Sequence, residues 1–180
     1  MNWTASETSS LFSGARTNRL FCRLMLLLCC WLITQCALRP VPRDLATYYN
    51  RDIYGIAELE TLALERYADV TGENYTSDEE LRQSLETVII PAYKRFADLT
   101  VQINPQTEPV RKLHALYREA AALRLQGFRI ILLALDSRDP SLVRQANRLL
   151  VQAGEPVAQW QANLSELAAQ HGLNLDRQQQ

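Results

Sequence analysis

Cysteine thiols are the most reactive side chains of this 180-residue chain, and all four lie near its start. They are Cys22, Cys29, Cys30 and Cys36, and no cysteine follows Cys36. Thiols can pair as disulfides, bind metals as thiolates or act as nucleophiles. The sequence after Cys36 therefore predicts a folded domain that uses none of these chemistries.

The chain has two histidines as candidate metal ligands or general bases, His114 and His171. They lie near the start of the third predicted helix and the end of the fourth, which antiparallel packing would bring close together. Two imidazoles without an inward carboxylate make a poor ligand set. We favour the alternative that His171 complements a helix C-terminus and His114 is a surface or boundary residue, and we predict no metal and no cofactor.

Tyrosines surround one acidic side chain early in the domain. Tyr48, Tyr49 and Tyr54 flank Asp52. Such a group could hydrogen-bond a ligand, or its members could bond one another at the rim of the domain, which is the interpretation that we favour. Tyr48 and Asp52 remain candidate binding residues.

Arg124 borders the inward face of the third predicted helix and is also a candidate binding residue. A buried guanidinium there would need a carboxylate partner, for which Asp52 and Asp98 are candidates. We favour a side chain whose stem covers apolar surface while the guanidinium reaches water. Three carboxylates of the first helix are assigned to its solvated side: Glu58, Glu60 and Glu65.

Helix-perturbing residues lie near the midpoints of the predicted helices. They include Gly55, Pro91, Gly127 and Pro156, and each proline frees the carbonyl four residues before it. Kinks at one height could open a pocket beside Trp160, the fourth candidate binding residue, although curvature and close packing explain the pattern more simply. Serine nucleophile motifs, glycine-rich phosphate loops and paired inward acids do not occur, so we predict no catalytic residue and no enzyme.

The chain begins with a pattern typical of a secretory signal. Arg16, Arg19 and Arg23 precede an uninterrupted apolar run at residues 24–33. As a helix this run would rise about 15 Å, half of the roughly 30 Å hydrocarbon thickness of a membrane. Its length and basic flank indicate a signal peptide and not a membrane span.

The end of that run, Leu32-Ile33-Thr34-Gln35-Cys36, resembles the lipobox of bacterial lipoproteins. The resemblance implies cleavage before Cys36 and acylation of that residue, with Gln35 in place of the usual small residue. Ala37 after the cysteine implies sorting to the periplasmic side of the outer membrane in a double-membraned bacterium. The alternatives are cleavage elsewhere or an uncleaved anchor with Cys36 as an ordinary residue.

The charge of the chain after the leader argues against a nucleic-acid partner. The leader holds three of the 19 basic and one of the 20 acidic residues, which leaves the remainder with a net charge of about −3. Phosphate backbones require concentrated positive charge, and no basic stripe follows the leader.

Four amphipathic segments follow the leader, in a composition rich in helix-forming residues. The first follows Pro40-Val41-Pro42 and runs to about Thr71, the second runs from Ser77 to Asn104, the third starts after Thr107, and the fourth runs from Asp139 to Gly172. Short connections between long helices favour antiparallel neighbours, so we predict an all-α, up-down-up-down four-helix bundle.

Three-and-four spacing predicts the inward face of each segment. The first segment presents Tyr49, Ile53, Ile56, Ala63, Tyr67 and Val70. The second presents Leu81, Leu85, Val88, Ala92, Phe96, Leu99 and Ile103. The fourth has Trp160 on its inward face, between Val157 and Leu164.

These patterns divide the chain into a signal peptide (1–35), an anchor and linker (36–41), a helical bundle (42–175) and a disordered tail (176–180). The expected function is that of a non-enzymatic, membrane-anchored lipoprotein of the cell envelope, acting as an interaction or structural module. Its expected partners are the membrane, through the lipid, and an envelope protein. The alternative is an envelope protein that binds a small molecule at the kinked middle of the bundle or near Tyr48.

Overall fold

The structure of the chain, a computed structural model, describes residues 40–175, and every regular element among them is helical. Helix α1 comprises Pro40–Thr47, a π-helical stretch at Tyr48–Ile53, and Tyr54–Asp69. Helix α2 comprises Asp78–Ser84, a second π-helical stretch at Leu85–Ile89, and Ile90–Gln102. Helix α3 is Glu108–Ser137, and α4 comprises Pro140–Gln152 and Gly154–Gln170. The prediction of four helices is confirmed; the predicted signal segment, Cys36 and the tail lie outside the described residues.

Side-chain caps begin two of the helices where the sequence predicts them. The Ser77 hydroxyl accepts a hydrogen bond from the Glu80 backbone N–H over 3.2 Å, which satisfies an N–H that has no partner within α2. The Asp139 carboxylate accepts from the Ser141 N–H over 2.8 Å at the start of α4. These caps explain why the helices begin at the residues that follow them.

Helix α3 begins differently, because the side chain of Thr107, the residue before its first turn, makes no capping hydrogen bond. Asp44 of α1 supplies the carboxylate instead. It accepts from the Thr107 N–H at 2.8 Å, the Thr107 hydroxyl at 2.6 Å and the Gln106 N–H at 3.1 Å. The first turn of α1 is thereby bonded to the segment that leads into α3.

The π-helical stretch of α1 changes which tyrosine enters the core. A π turn holds more residues than an α turn, so inward positions become four or five residues apart. Tyr48 and Ile53, five residues apart, are both buried, whereas Tyr49 is only partly buried. The prediction that Tyr48 is a rim residue is therefore wrong. Tyr49, predicted to face inward, packs against the core but is only partly buried.

The π-helical stretch of α2 shifts its inward face by one residue. The Ile90 N–H bonds to the Leu85 carbonyl five residues back, and Pro91 follows at once. The buried positions after Leu85 are Ile89, Tyr93, Phe96 and Thr100. Of the residues predicted after Leu85, only Phe96 is fully buried.

Close packing brings α3 against α4 at Gly127. A Cβ added to Gly127 would lie 2.7 Å from Leu150 Cδ2, nearer than carbon atoms can approach without a shift. Helix α4 is interrupted at Ala153, three residues before Pro156. The small residue at 127 thus serves helix packing, one of the two interpretations of the central pattern.

Aromatic rings fill the middle of the core. Tyr93 lies between Phe96 and Phe128, with ring centroids 5.2 Å from each, and Phe96 contacts Tyr117 edge to face at 5.7 Å. Rings from α2 and α3 therefore meet in one cluster. Within residues 40–175, no helix is long and apolar enough to cross a membrane.

Candidate functional site

Two groups of polar side chains are bonded across the helices, and the first is centred on Tyr48. The Trp160 indole Nε1–H donates to the Tyr48 hydroxyl oxygen over 3.0 Å. His114 Nδ1 lies 3.4 Å from the same oxygen, and His114 Nε2 lies 2.9 Å from the Thr100 carbonyl oxygen. These four residues, which we call the Tyr48 relay, come from α1, α4, α3 and α2.

Donor chemistry gives the Tyr48 relay one direction. The indole N–H can only donate, so the Tyr48 oxygen accepts from it and its own proton is free to point to His114 Nδ1. The Thr100 carbonyl can only accept, so His114 Nε2 carries a proton. When the imidazole is neutral, Nδ1 is therefore the acceptor for the Tyr48 hydroxyl.

The surroundings of His114 favour that neutral form. The residue is 4% exposed, and burial lowers the pKa of its imidazole below the ordinary value. The bond to the Thr100 carbonyl opposes this effect, and the Arg118 charge adds to it. Burial has the opposite effect on the Tyr48 hydroxyl: it raises the pKa, so this group stays protonated and can donate a hydrogen bond.

The second group is centred on Glu60, twelve residues and so about 18 Å along α1 from Tyr48. Arg124 Nη1 donates to Glu60 Oε1 over 2.7 Å, and the Tyr117 hydroxyl donates to Glu60 Oε2 over 2.7 Å. The Tyr93 hydroxyl lies 3.5 Å from Oε1. We call these four residues the Glu60 cluster.

The Glu60 cluster is largely enclosed. The Glu60 and Arg124 side chains are 17% and 20% exposed. Burial, together with the Glu60 charge, raises the pKa of the Tyr117 hydroxyl, so this group remains a proton donor. The two groups touch through Tyr117 and Trp160, whose ring centroids are 4.9 Å apart.

The structure separates the residues predicted around Asp52. Tyr48 is buried in the relay, while Tyr54 is 70% exposed. Asp52 pairs with its neighbour Arg51 over 2.7 Å. The predicted rim of mutually bonded Tyr and Asp side chains is wrong, because the π-helical stretch turns Tyr48 inward.

Arg124 and Trp160 both lie inside. The expected partners of Arg124 are wrong: Asp98 pairs with Lys94 over 2.6 Å, and the guanidinium, on a side chain that is 20% exposed, bonds Glu60. Trp160 is buried on the inward face, as its spacing predicts. Of the four candidate binding residues, Tyr48 and Trp160 meet directly.

Sequence reasoning missed Glu60 and His114. Glu60 falls four residues after Ile56 and three before Ala63, which is inward spacing. His114 stands in the same relation to Val110 and Tyr117. The assignments of Glu60 to the solvated side and of His114 to the boundary are therefore wrong. Their spacing indicates an inward position, but charged and polar residues are usually exposed, and the prediction followed that tendency.

The two histidines do not share a site in the described part of the chain. Both ring nitrogens of His114 face protein partners, while His171 follows the last residue of α4. Among residues 40–175, no three His, Cys, Asp or Glu side chains are grouped as they would be to hold a metal ion.

Open grooves lie on the surface of the described domain. One, of about 510 Å³, is lined by Tyr49, Trp160, Leu164 and Ala168 and by residues after α4, including Leu173. A second, of about 480 Å³, is lined by residues that include Asp52, Gly55 and Ile103. Trp160 of the Tyr48 relay is thus part of the wall of the first groove.

Compared with protein-family models, with curated protein sequences and with solved structures, the chain matches none.

Proposed function

We propose that the chain is a lipid-anchored, non-enzymatic protein of the cell envelope whose helical domain acts as an interaction or structural module. The observation that carries the proposal is the hydrogen bonding of the buried polar groups. The side chains with the chemistry to bind or react, in the Tyr48 relay and the Glu60 cluster, are hydrogen-bonded to one another across helices. Fully satisfied networks of this kind rigidify a core and specify its packing.

The up-down-up-down arrangement is part of this proposal. Contacts between α1 and α2 join Glu60 to Tyr93 and Arg66 to Ser84, so numbers rise on one helix and fall on the other. Between α1 and α3, Tyr48 meets His114 and Glu60 meets Arg124, so both rise together. Alternating directions account for both patterns.

Membrane attachment through Cys36 is the second part, supported by the lipobox-like residues 32–36. Two or three acyl chains on one residue provide the multiple signals that stable anchoring requires. Cys36→Ser should abolish incorporation of labelled palmitate and release the domain from the membrane fraction, or leave the precursor uncut. Cys30→Ser, a matched thiol within the leader, should change neither. Unchanged membrane association of Cys36→Ser, together with an unlabelled wild-type protein, would contradict the anchor.

The interaction module is tested on the surface of the domain. Val101, Leu133 and Val151 are large apolar side chains exposed to solvent. A photo-crosslinking amino acid at each position, in intact cells, should give a discrete adduct from at least one and none from the exposed position Arg51. The adduct should disappear where Cys36→Ser releases the domain from the membrane. Equal adducts from every position would show random collision instead of a partner surface.

The groove beside Trp160 supports a second candidate, an envelope protein that binds a small molecule. A groove of about 510 Å³ lies within the range of ligand sites, and Tyr49 and Trp160 give it aromatic walls. Native mass spectrometry of protein purified from the membrane should then show a retained mass that Trp160→Ala loses. If only the unliganded mass is observed, and the wild type is no less stable without a ligand, the interaction or structural module alone is favoured.

A further inference from the structure

The Tyr48 relay joins all four helices through one ionisable ring, and this arrangement sets a condition on the charge of His114. The Tyr48 oxygen accepts from the Trp160 indole N–H, while the Tyr48 hydroxyl proton points to His114 Nδ1. An acceptor at Nδ1 exists only while the imidazole is neutral.

Protonation would place a second donor against the Tyr48 oxygen. The cationic His114 would present Nδ1–H where Tyr48 now donates, so the hydroxyl proton would lose its acceptor inside the core. An unsatisfied buried donor is unfavourable. If the hydroxyl proton turns to the other side of the Tyr48 oxygen, it faces the Trp160 N–H, which can only donate, so the relay is relieved when the indole and Tyr48 separate.

We propose that the Tyr48 relay is an acid-sensitive latch, in which protonation of His114 releases the Trp160 indole from Tyr48 while the four helices remain folded. Because Trp160 also lines the groove with Tyr49 and Leu164, release of the indole alters the wall of that groove.

The charges facing His114 set the pH range of the latch. Asp52 on α1 favours the cation, and Arg118, one turn along α3, opposes it. Helix α2 contributes the Thr100 carbonyl, and α4 contributes the uncharged indole of Trp160, which reaches His114 only through Tyr48. Burial is the largest effect and lowers the pKa of His114 in the folded protein.

The sign of the pH dependence follows from this direction. Above about pH 6.5, the ordinary imidazole pKa, both folded and unfolded chains hold a neutral His114 and its contribution to stability is complete. As the pH falls below that value, the unfolded chain takes the proton first, so stability is lost down to the folded pKa. The latch opens at the lower end of this range.

The experiment uses the full chain with Trp3→Phe and Trp31→Phe, so that Trp160 is its one tryptophan. Nuclear magnetic resonance follows the two imidazoles and the single indole N–H between pH 7.5 and pH 4.5, while circular dichroism follows the helices. We expect the indole N–H shift to move at the same midpoint as the titration of His114, with helical content unchanged.

Two variants separate the latch from a merely buried histidine. Tyr48→Phe removes the hydroxyl that couples the rings, so the indole signal should no longer respond when His114 titrates. His171→Gln changes the other histidine, so the coupled transition should persist.

Titration of His114 without any indole shift in the wild-type chain would overturn the latch. Loss of helical content in the same step would also overturn it, because the latch requires a folded open form. Both results come from chains that retain Tyr48 and His114, so the decision does not depend on whether a variant folds.

Discussion

The Glu60 carboxylate of α1 and the Arg124 guanidinium of α3 form an ion pair of 2.7 Å inside the bundle. Since each side chain is exposed to only a small degree, removing one partner leaves the other charge poorly solvated. We expect Arg124→Met to lower the free energy of unfolding by about 1–3 kcal/mol. Urea unfolding followed by circular dichroism measures this loss.

A surface pair of the same charge types is the matched control. Lys94 and Asp98 lie 2.6 Å apart, with more than half of each side chain exposed. Lys94→Met should therefore cost less than about 0.5 kcal/mol. Equal effects of Arg124→Met and Lys94→Met would show that the inner pair is as well solvated as the surface pair.

Two helical glycines should respond to alanine in opposite directions. A Cβ at Gly55 meets no atom within 4 Å, so Gly55→Ala should gain helix propensity and stabilise the protein by about 0.5–1 kcal/mol. At Gly127 the new Cβ would collide with Leu150 at both Cγ and Cδ2. We expect Gly127→Ala to cancel that gain and lose about 1 kcal/mol by overpacking.

Thermal unfolding of the two alanine variants tests this difference. Adding Leu150→Ala to Gly127→Ala makes room for the new methyl group, so the combined loss should be smaller than the sum of the single losses. Additive losses, or stabilisation by Gly127→Ala alone, would contradict close packing between α3 and α4.

The boundaries and type of the helices could be predicted because short-range signals set them. Ser77 and Asp139 act through bonds to residues two or three positions away, which a sequence displays directly. Trp160 could be placed inside because it lies on a regular stretch of α4. Local spacing is enough wherever the helix remains an α-helix.

The partners across helices could not be predicted in the same way. The two π-helical stretches shift the inward faces of α1 and α2. No single residue type indicates such a stretch in a sequence, although Pro91 lies just after one of them. Glu60 and Arg124 are 64 residues apart, so their pairing follows from the packing of α1 on α3 and not from local spacing. The hydrogen bonds from Thr107 to Asp44 could not be predicted for the same reason, because the two residues are 63 positions apart.

The cap of α4 makes part of the stability dependent on acid pH. Hydrogen bonds from Ser141 hold the pKa of Asp139 below its ordinary value. A carboxyl group of this kind contributes fully above about pH 4 and loses its contribution as the pH falls through the folded pKa. Asp139→Asn can still cap the helix but cannot titrate. The stability advantage of the wild type over Asp139→Asn should therefore be largest near pH 7 and shrink towards pH 2.5.

Urea unfolding at several pH values between 7 and 2.5 measures that difference. Asp78→Asn, in the first turn of α2, controls for the general effect of removing one carboxylate. Parallel curves for the wild type and Asp139→Asn would show that the cap does not distinguish the two protonation states.

Trp160 combines a core role with a polar one, and two substitutions separate them. Trp160→Ala removes a buried ring that contacts Tyr117, and we expect a loss of about 3–5 kcal/mol from lost burial and the cavity left behind. Trp160→Phe keeps a ring but removes the N–H that Tyr48 accepts, so its loss should be smaller, about 1–2 kcal/mol. Val151→Ala, at a position of the same helix that is 78% exposed, should stay within about 0.5 kcal/mol of the wild type.

Denaturant unfolding orders the three variants, and the emission of Trp160 in a chain without Trp3 and Trp31 should be that of a buried indole. A solvent-exposed emission maximum, with a loss below about 1 kcal/mol for Trp160→Ala, would remove Trp160 from the core and the Tyr48 relay with it.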